Sequence, residues 1–230
     1  MPSSTPPTNL KAFAFDAYGT LFDVFSVTAL CEALFPGNGH ALAQLWRTKQ
    51  LQYSLLRSVM DRFEDFWQLT GDGLVYAAKS LELDLTDTKR QALMDAYLRL
   101  TAFPDVKVGL EALREQGLQL ANLSNGAPRM LQAAVASAGL GPWIDEIISV
   151  SDIRIFKPCP RVYQLIGQKL KVPADQIGFV SSNSWDINGA GAAGLYTFWI
   201  QRSPGEPQEE LGFPACQVVT TIIELAQLIR

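Results

Sequence analysis

Phe13-Ala14-Phe15-Asp16-Ala17-Tyr18-Gly19-Thr20-Leu21-Phe22-Asp23 is the stretch that decides how the rest of the chain is read. An apolar run breaks at a carboxylate into a glycine turn, the pattern of a buried strand that ends in a loop. Open α/β sheets hold their ligands at the C-terminal ends of the strands, so Asp16 is the leading candidate for chemistry. Taken alone, the same aspartate reads equally well as a strand-end residue that caps a helix. The other strand ends decide between the two.

At 230 residues the chain suits one large domain or a core domain carrying an insertion. With 48% hydrophobic residues and a formal net charge of −4, its composition is that of a soluble globular protein. Lys and Arg are scattered singly, without the basic stripe that nucleic acid or an anionic membrane would require. No apolar run approaches the ~18 residues of a membrane span. The opening residues, Met1 to Asn9, are polar and proline-rich and read as a loose tail rather than a signal peptide. Cys31, Cys159 and Cys216 are odd in number and lack CxxC spacing, which argues against a zinc site or a disulfide framework and for a reducing cytoplasm. The single histidine, His40, lies in the loop-like Pro36-Gly37-Asn38-Gly39-His40 and is expected to be a solvated surface residue. A histidine-rich metal site is therefore excluded, and neither a Gly-x-Ser-x-Gly elbow nor a GxxxxGK[ST] loop occurs.

From about Val24 to Tyr97 the apolar residues recur at three- and four-residue spacing, as in Leu45-Trp46, Leu51, Leu55-Leu56, Met60 and Phe63, which predicts helices with no intervening strand. Beyond about Lys107 the pattern alternates. Helices are expected over 109–116, 130–138 and 161–170, with a small-residue helix after Val180, and strands over 118–123, 146–150, 177–180 and 196–200. Such alternation implies parallel β-α units and a three-layer α/β sandwich. The first strand belongs with the later ones, so the expected organisation is a flexible tail (1–10), a Rossmann-like core (11–23 and 105–230) and a helical cap inserted after the first strand (24–104). The cap would close a cleft over Asp16.

Each later strand ends in polar residues: Ser124-Asn125-Gly126 after Leu123, Lys157-Pro158 in the loop after Val150, and Ser181-Ser182-Asn183-Ser184-Trp185-Asp186 after Val180. In a parallel sheet these ends share one edge, which brings a carboxylate, hydroxyls, an amine and an Asn/Asp pair to one small volume. Alone, Lys157 reads as an exposed loop lysine, Ser124-Asn125-Gly126 as a turn, and Thr20 as a helix cap. Asp186 is also placed to start the following helix. Their joint occurrence, in order and at strand ends, favours a site.

The DxxGT, S-N-G, K-P and late Asp segments resemble the four motifs of the haloacid dehalogenase superfamily, over essentially the whole chain. The first motif, the segment from Leu45 to Ser54, and Ser181 to Asp186 are similar specifically to the L-2-haloacid dehalogenases. Most superfamily members are Mg²⁺-dependent phosphatases whose first motif carries a second Asp that protonates a leaving alkoxide. Tyr18 stands at that position, a poor acid at an unperturbed pKa of ~10, whereas halide leaves without a proton. The phosphatases' acidic metal ligand in the fourth motif becomes Ser182, so a metal-free, cofactor-free site is expected.

The resemblance implies that Asp16 displaces halide from C2 of a short (S)-2-haloalkanoate, giving an ester that water then hydrolyses at the Asp16 carbonyl carbon to an (R)-2-hydroxy acid. Asp186 would activate the water, with Lys157, Ser181 and Asn183 positioning Asp16 and the water. Arg47 would receive the halide or the substrate carboxylate, and Thr20, Ser124 and Asn125 would hold the carboxylate. Tyr18, Leu51, Phe66 and Trp185 would wall the alkyl group. Alone, Arg47 reads as a solvated cap-helix residue and the aromatic side chains as packing. Thr48 departs from the Gln that many relatives have after the cap arginine, which leaves pocket size and polarity open. The partners implied are a small 2-haloalkanoate and water, with no nucleic acid or membrane, and a homodimer formed through the cap. The competing readings are a Mg²⁺-dependent phosphatase of the same fold and a catalytically silent binding protein. Gly189-Ala190-Gly191-Ala192-Ala193-Gly194 satisfies GxGxxG, with Glu209 about 20 residues on. These glycines fall inside the last small-residue helix rather than at a strand-to-helix turn, and are read as packing positions.

Overall fold

Strand β1 (Ala12–Phe15) is buried at all four positions, and the computed structural model, which describes residues 7–230, explains why. It lies at the centre of a six-stranded sheet with β2 (Gln119–Ser124), β3 (Glu146–Ser149), β4 (Ile177–Ser181), β5 (Tyr196–Ile200) and β6 (Gln217–Val219). The order is β3-β2-β1-β4-β5-β6, and every pairing is parallel. In this doubly wound order the chain reverses its direction of travel across the sheet between β1 and β4, and that reversal opens a crevice at their C-terminal ends. A strand covered on both sides needs apolar residues at every position, which Ala-Phe-Ala-Phe supplies.

The register is enforced by shape as well as hydrogen bonds. Phe13 pairs with Gly178, and a Cβ at Gly178 would lie 2.4 Å from the Phe13 ring. The ring therefore lies across the glycine and reaches Phe198 on β5, with centroids 5.3 Å apart.

Four helices, α1 (Thr28–Leu34), α2 (Gly39–Val59), α3 (Phe66–Ser80) and α4 (Asp87–Tyr97), separate β1 from α5 (Val106–Glu115). The outgoing and returning chains meet: Asp23 N donates to Thr101 O (2.8 Å) and Phe103 N to Leu21 O (3.1 Å). Gly73 lets α2 and α3 approach closely, because a Cβ there would lie 3.2 Å from Gln50 N and 3.3 Å from Trp46 O. Beyond β2 follow α6 (Pro128–Ser137), α7 (Pro160–Leu170), α8 (Ser184–Ala192) and α9 (Ile222–Leu228). The α/β class and the strands and helices expected between residues 106 and 200 are present, with ends shifted by up to three residues.

Three expectations are corrected. His40 is in the first turn of α2, not in a loop, though exposed as expected. The helix starts early because the Glu32 carboxylate accepts the Gly39 N–H (2.9 Å), a cap supplied from the preceding helix rather than by Asn38. Asp186 does not open α8; Asn183 occupies the cap position, and Asp186 lies buried in the first turn. β6 and α9 were absent from the sequence reading, since a three-residue strand with an exposed Val218 carries no periodic signal. The loose tail expected over 1–10 falls mostly on residues 1–6, outside those described; of the remainder, Leu10 already packs on the core. Substituting Gly178→Ala should lower the free energy of unfolding by about 1–3 kcal/mol through the clash with Phe13, read from urea denaturation.

Candidate active site

Asp16 extends the β1–β4 register one residue past the strand: its N–H donates to Val180 O (2.9 Å). The side chain is thereby fixed at the crevice, only 5% exposed. Gly19 then turns the chain with φ +92°, and a Cβ there would sit 3.1 Å from Ser182 Oγ, so the turn suits glycine on two counts. The turn brings Thr20 back, and its Oγ1 donates to Asp16 Oδ2 (3.3 Å) while accepting the Ser182 N–H (2.8 Å).

The Lys157 ammonium lies between two carboxylates, 3.0 Å from Asp16 Oδ1 and 2.8 Å from Asp186 Oδ2. Lys157 is 2% exposed and Asp186 is fully buried, so the reading of Lys157 as an exposed loop lysine is excluded. Burial opposes the charge on Lys157, but the two carboxylates outweigh it and hold its pKa above the usual lysine value. Burial pushes the Asp186 carboxyl up to about 6; Lys157 opposes the rise and Asp16 adds to it. Two carboxylates around one ammonium leave an excess negative charge, and Tyr163 meets it by donating to Asp186 Oδ1 (2.6 Å).

Asn183 Nδ2 completes the shell around Asp16, donating to Oδ2 (2.9 Å) and to Tyr18 O (3.2 Å). The Ser181 hydroxyl does not reach Asp16 directly; it accepts the Asn183 N–H (3.1 Å) and so fixes the asparagine. Asn125 Oδ1 accepts the Lys157 backbone N–H (2.9 Å), and the buried Ser124 Oγ accepts the Gly126 N–H (3.1 Å). The S-N-G turn therefore positions the lysine loop. Trp185 is half-buried in the first turn of α8 and Leu51 half-buried on α2. Phe66, fully buried at the start of α3, lies against Tyr18 with ring centroids 5.8 Å apart.

From α2, Arg47 reaches over the strand ends: Nη2 donates to Tyr18 O (3.2 Å) and Nη1 to Gln50 Oε1 (2.7 Å). Gln50 is itself locked, its Oε1 also accepting from Tyr97 Oη (3.0 Å) and its Nε2 donating to Thr70 Oγ1 (2.7 Å). Thr48, by contrast, is exposed and bonds back to Gln44 O (2.9 Å) in its own helix. A cleft of about 200 Å³ opens here, lined in part by Gly19, Arg47, Ser182, Asn183 and Arg202. A wider groove of about 400 Å³ outside Tyr163 is lined without a single charged residue.

Sequence reasoning missed Tyr163, Gln50 and Arg202. Arg202 donates to Thr20 O through Nη2 (2.8 Å) and to Asp105 through Nη1 (2.7 Å), clamping the turn that follows Asp16. Among the described residues no cluster of three or more His, Cys, Asp or Glu forms a metal-ligating group. The GxGxxG glycines do lie in and just after α8, where a Cβ at Gly189 would meet Pro158 and Tyr163 at 2.5 Å. Glu209 accepts from Ser184 Oγ (2.5 Å), a structural role at the start of that helix.

A carboxylate held by an ammonium, an asparagine and a threonine, beside a second carboxylate that burial raises to about 6, gathers the perturbed titratable groups that mark a candidate enzyme site. Residues 10–194 match the haloacid dehalogenase-like hydrolase family, and the chain belongs to that family. It is 45% identical to an (S)-2-haloacid dehalogenase of Pseudomonas sp. strain YL over 95% of this chain and 94% of that one. A solved structure of an L-2-haloacid dehalogenase shares 44% identity at a TM-score of 0.93, covering 96% of this chain and 99% of that one. The Xanthobacter autotrophicus L-2-haloacid dehalogenase with chloropropionic acid covalently bound superimposes with a TM-score of 0.90 at 38% identity, covering 96% and 98%.

Lys157→Met should destabilise the protein by about 3–5 kcal/mol at pH 7, because two buried carboxylates lose their counter-ion. Asp186, which burial already raises and Lys157 lowers, would then sit further above its unfolded pKa, so the native state would bind more protons than the unfolded state. The deficit should therefore shrink as pH falls from 7 toward 5, checked by urea unfolding at both pH values.

Proposed function

We propose that this protein hydrolyses short (S)-2-haloalkanoic acids to (R)-2-hydroxyalkanoic acids and halide, through an ester on Asp16. The observation that carries the reading is the Lys157 ammonium seated between Asp16 and Asp186. It orients Asp16 as a nucleophile, while Asp186, raised to about 6 by burial, is suited to accept a proton.

In the first step an Asp16 oxygen attacks C2 opposite the carbon–halogen bond; the bonding pair leaves with the halide, and C2 inverts. In the second, water attacks Cγ of Asp16, its proton passes to Asp186, and the ester C–O bond breaks. The alkoxide takes that proton back from Asp186 and leaves as the 2-hydroxy acid, carrying an oxygen that began in Asp16. Arg47 supplies the cation for the departing halide or the substrate carboxylate, and Ser124, Asn125 and Thr20 line the carboxylate side. Helices α1–α4 serve as the cap of this site, with Tyr18, Leu51, Phe66 and Trp185 walling the alkyl group.

The phosphatase reading is the weaker one. Its leaving alkoxide requires an acid two residues after the nucleophile, and burial first, with Tyr97 and Asp16 adding to it, holds the Tyr18 phenol well above its usual pKa. A divalent ion also fits the donor set poorly. The Tyr18 carbonyl faces Arg47 and Asn183 N–H donors, and an ammonium engages both carboxylates, whereas Mg²⁺ demands a shell of oxygen ligands. The reading is accordingly of a metal-independent enzyme.

Free Cys31, Cys159 and Cys216 are compatible with a cytoplasmic setting. No helix among the described residues is long and apolar enough to cross a membrane. The apolar side chains left exposed along the end of α2, Leu55, Leu56, Val59 and Met60, support a homodimer formed through the cap. Val59→Glu should then convert a dimer to a monomer in light scattering.

One turnover in ¹⁸O water with excess enzyme should place label in Asp16 and leave the first product unlabelled; label going straight into the product would exclude the ester. Asp186→Asn should release a single equivalent of halide and stall as the ester. Because Asp186 must be deprotonated to accept the proton, wild-type kcat should rise with pH through a midpoint near 6.

A further inference from the structure

Tyr18 is buried, and among the described residues its hydroxyl is one of the few buried polar atoms without a hydrogen-bond partner. Its ring is fixed on two sides, by Phe66 and by Tyr97, each with centroids 5.8 Å away. The ring has little freedom to carry its hydroxyl toward water. The hydroxyl end packs against Gly126, where a Cβ would lie 2.7 Å from Leu131 Cδ2, 2.9 Å from Tyr18 Cε2 and 3.0 Å from Tyr18 Oη. Glycine in the Ser124-Asn125-Gly126 turn thus makes room for a phenol that then bonds to nothing in the protein. A phenylalanine would fill the same space without leaving a buried donor unmet.

The surroundings say what kind of partner the hydroxyl is set to meet. The charges of Arg47 and Asp16 both act on it, and the phenol remains protonated, so it can donate. Its backbone carbonyl is already taken by Arg47 and Asn183, whereas the buried hydroxyl has no partner in the protein.

We propose that the Tyr18 hydroxyl is a hydrogen-bond donor to an anionic group of the bound ligand, so that position 18 recognises anion as well as walling the alkyl chain. This rests on the dehalogenase reading for the identity of the ligand, and two such groups exist there: the substrate carboxylate and the departing halide. A donor toward the carboxylate would strengthen binding, and one toward the halide would strengthen as charge develops on the leaving group.

Tyr18→Phe tests this, because the two roles of the hydroxyl move stability and binding in different directions. If its only unmet need is a ligand, the variant has a Tm no lower than the wild type, since an unpaired buried donor is gone. Its kcat/KM should fall about tenfold. Thermal protection by sodium propanoate and by sodium bromide then assigns the group: weakened protection by propanoate places the contact at the carboxylate, and by bromide at the halide. Protection unchanged for both anions, or a lowered Tm, overturns the proposal. If the wild type itself releases no halide from 2-chloropropanoate, the dehalogenase reading fails, while the anion-protection comparison still decides the role of the hydroxyl.

Discussion

An ammonium buried between two carboxylates is the interaction that the rest of this structure serves. Each of the three charges would be costly away from water without the other two. Asp16 comes from the end of β1, Lys157 from the loop beyond β3, and Asp186 from the first turn after β4. Their convergence requires β1 to lie between β2 and β4 in one register, and the Phe13–Gly178 fit specifies that register where hydrogen bonds alone would tolerate a shift. Packing of apolar side chains thus sets the geometry of the charges. Tyr163 and Asn183 supply the donors that the single ammonium cannot, so that both carboxylates are met on more than one side.

The helices between β1 and α5 contribute a second, differently built layer. Arg47 is held by a chain of uncharged groups, Gln50, Tyr97 and Thr70, instead of by a carboxylate. The consequence is electrostatic: a guanidinium without an acidic partner keeps its charge available to an anion, whereas Arg202, paired with Asp105, is committed to clamping the chain at Thr20. Two arginines line one cleft and do different work, and their partners tell them apart.

What could be read from the sequence followed from how strands end. A run of buried apolar residues stopping at Asp, Ser-Asn or Ser-Ser-Asn is visible because burial and polarity change abruptly, and parallel alternation places those ends on one edge. Asp16, Lys157, Asp186 and Asn183 were accessible by that route. Tyr163 was not, since a lone tyrosine on an amphipathic helix has the signature of packing, and only its 2.6 Å bond to Asp186 separates it from its neighbours. Gln50 and Arg202 were hidden for the related reason that a polar residue within a helix or a loop reads as solvated until its partners are known. Ser181 lies one bond further from Asp16 than the sequence suggests, because its hydroxyl turns back to the Asn183 amide. Local side-chain-to-backbone bonding of this kind competes with outward contacts and leaves no mark on residue spacing.

Under the proposed function, position 18 is where one side chain sets the chemistry of an otherwise shared scaffold. A carboxylic acid there would place a proton donor beside the nucleophile and a third negative group near Asp16 and Asp186, favouring a metal ion to balance them and an alkoxide as the leaving group. The phenol removes that charge, and its ring joins Phe66 and Tyr97 in an apolar wall. The single Lys157 ammonium is then enough to hold the two carboxylates that remain. Without an acid at position 18, the proposed first step suits a group that departs without a proton, and halide meets that condition. The exchange that leaves two carboxylates to one bridging ammonium therefore also suits the proposed displacement of halide.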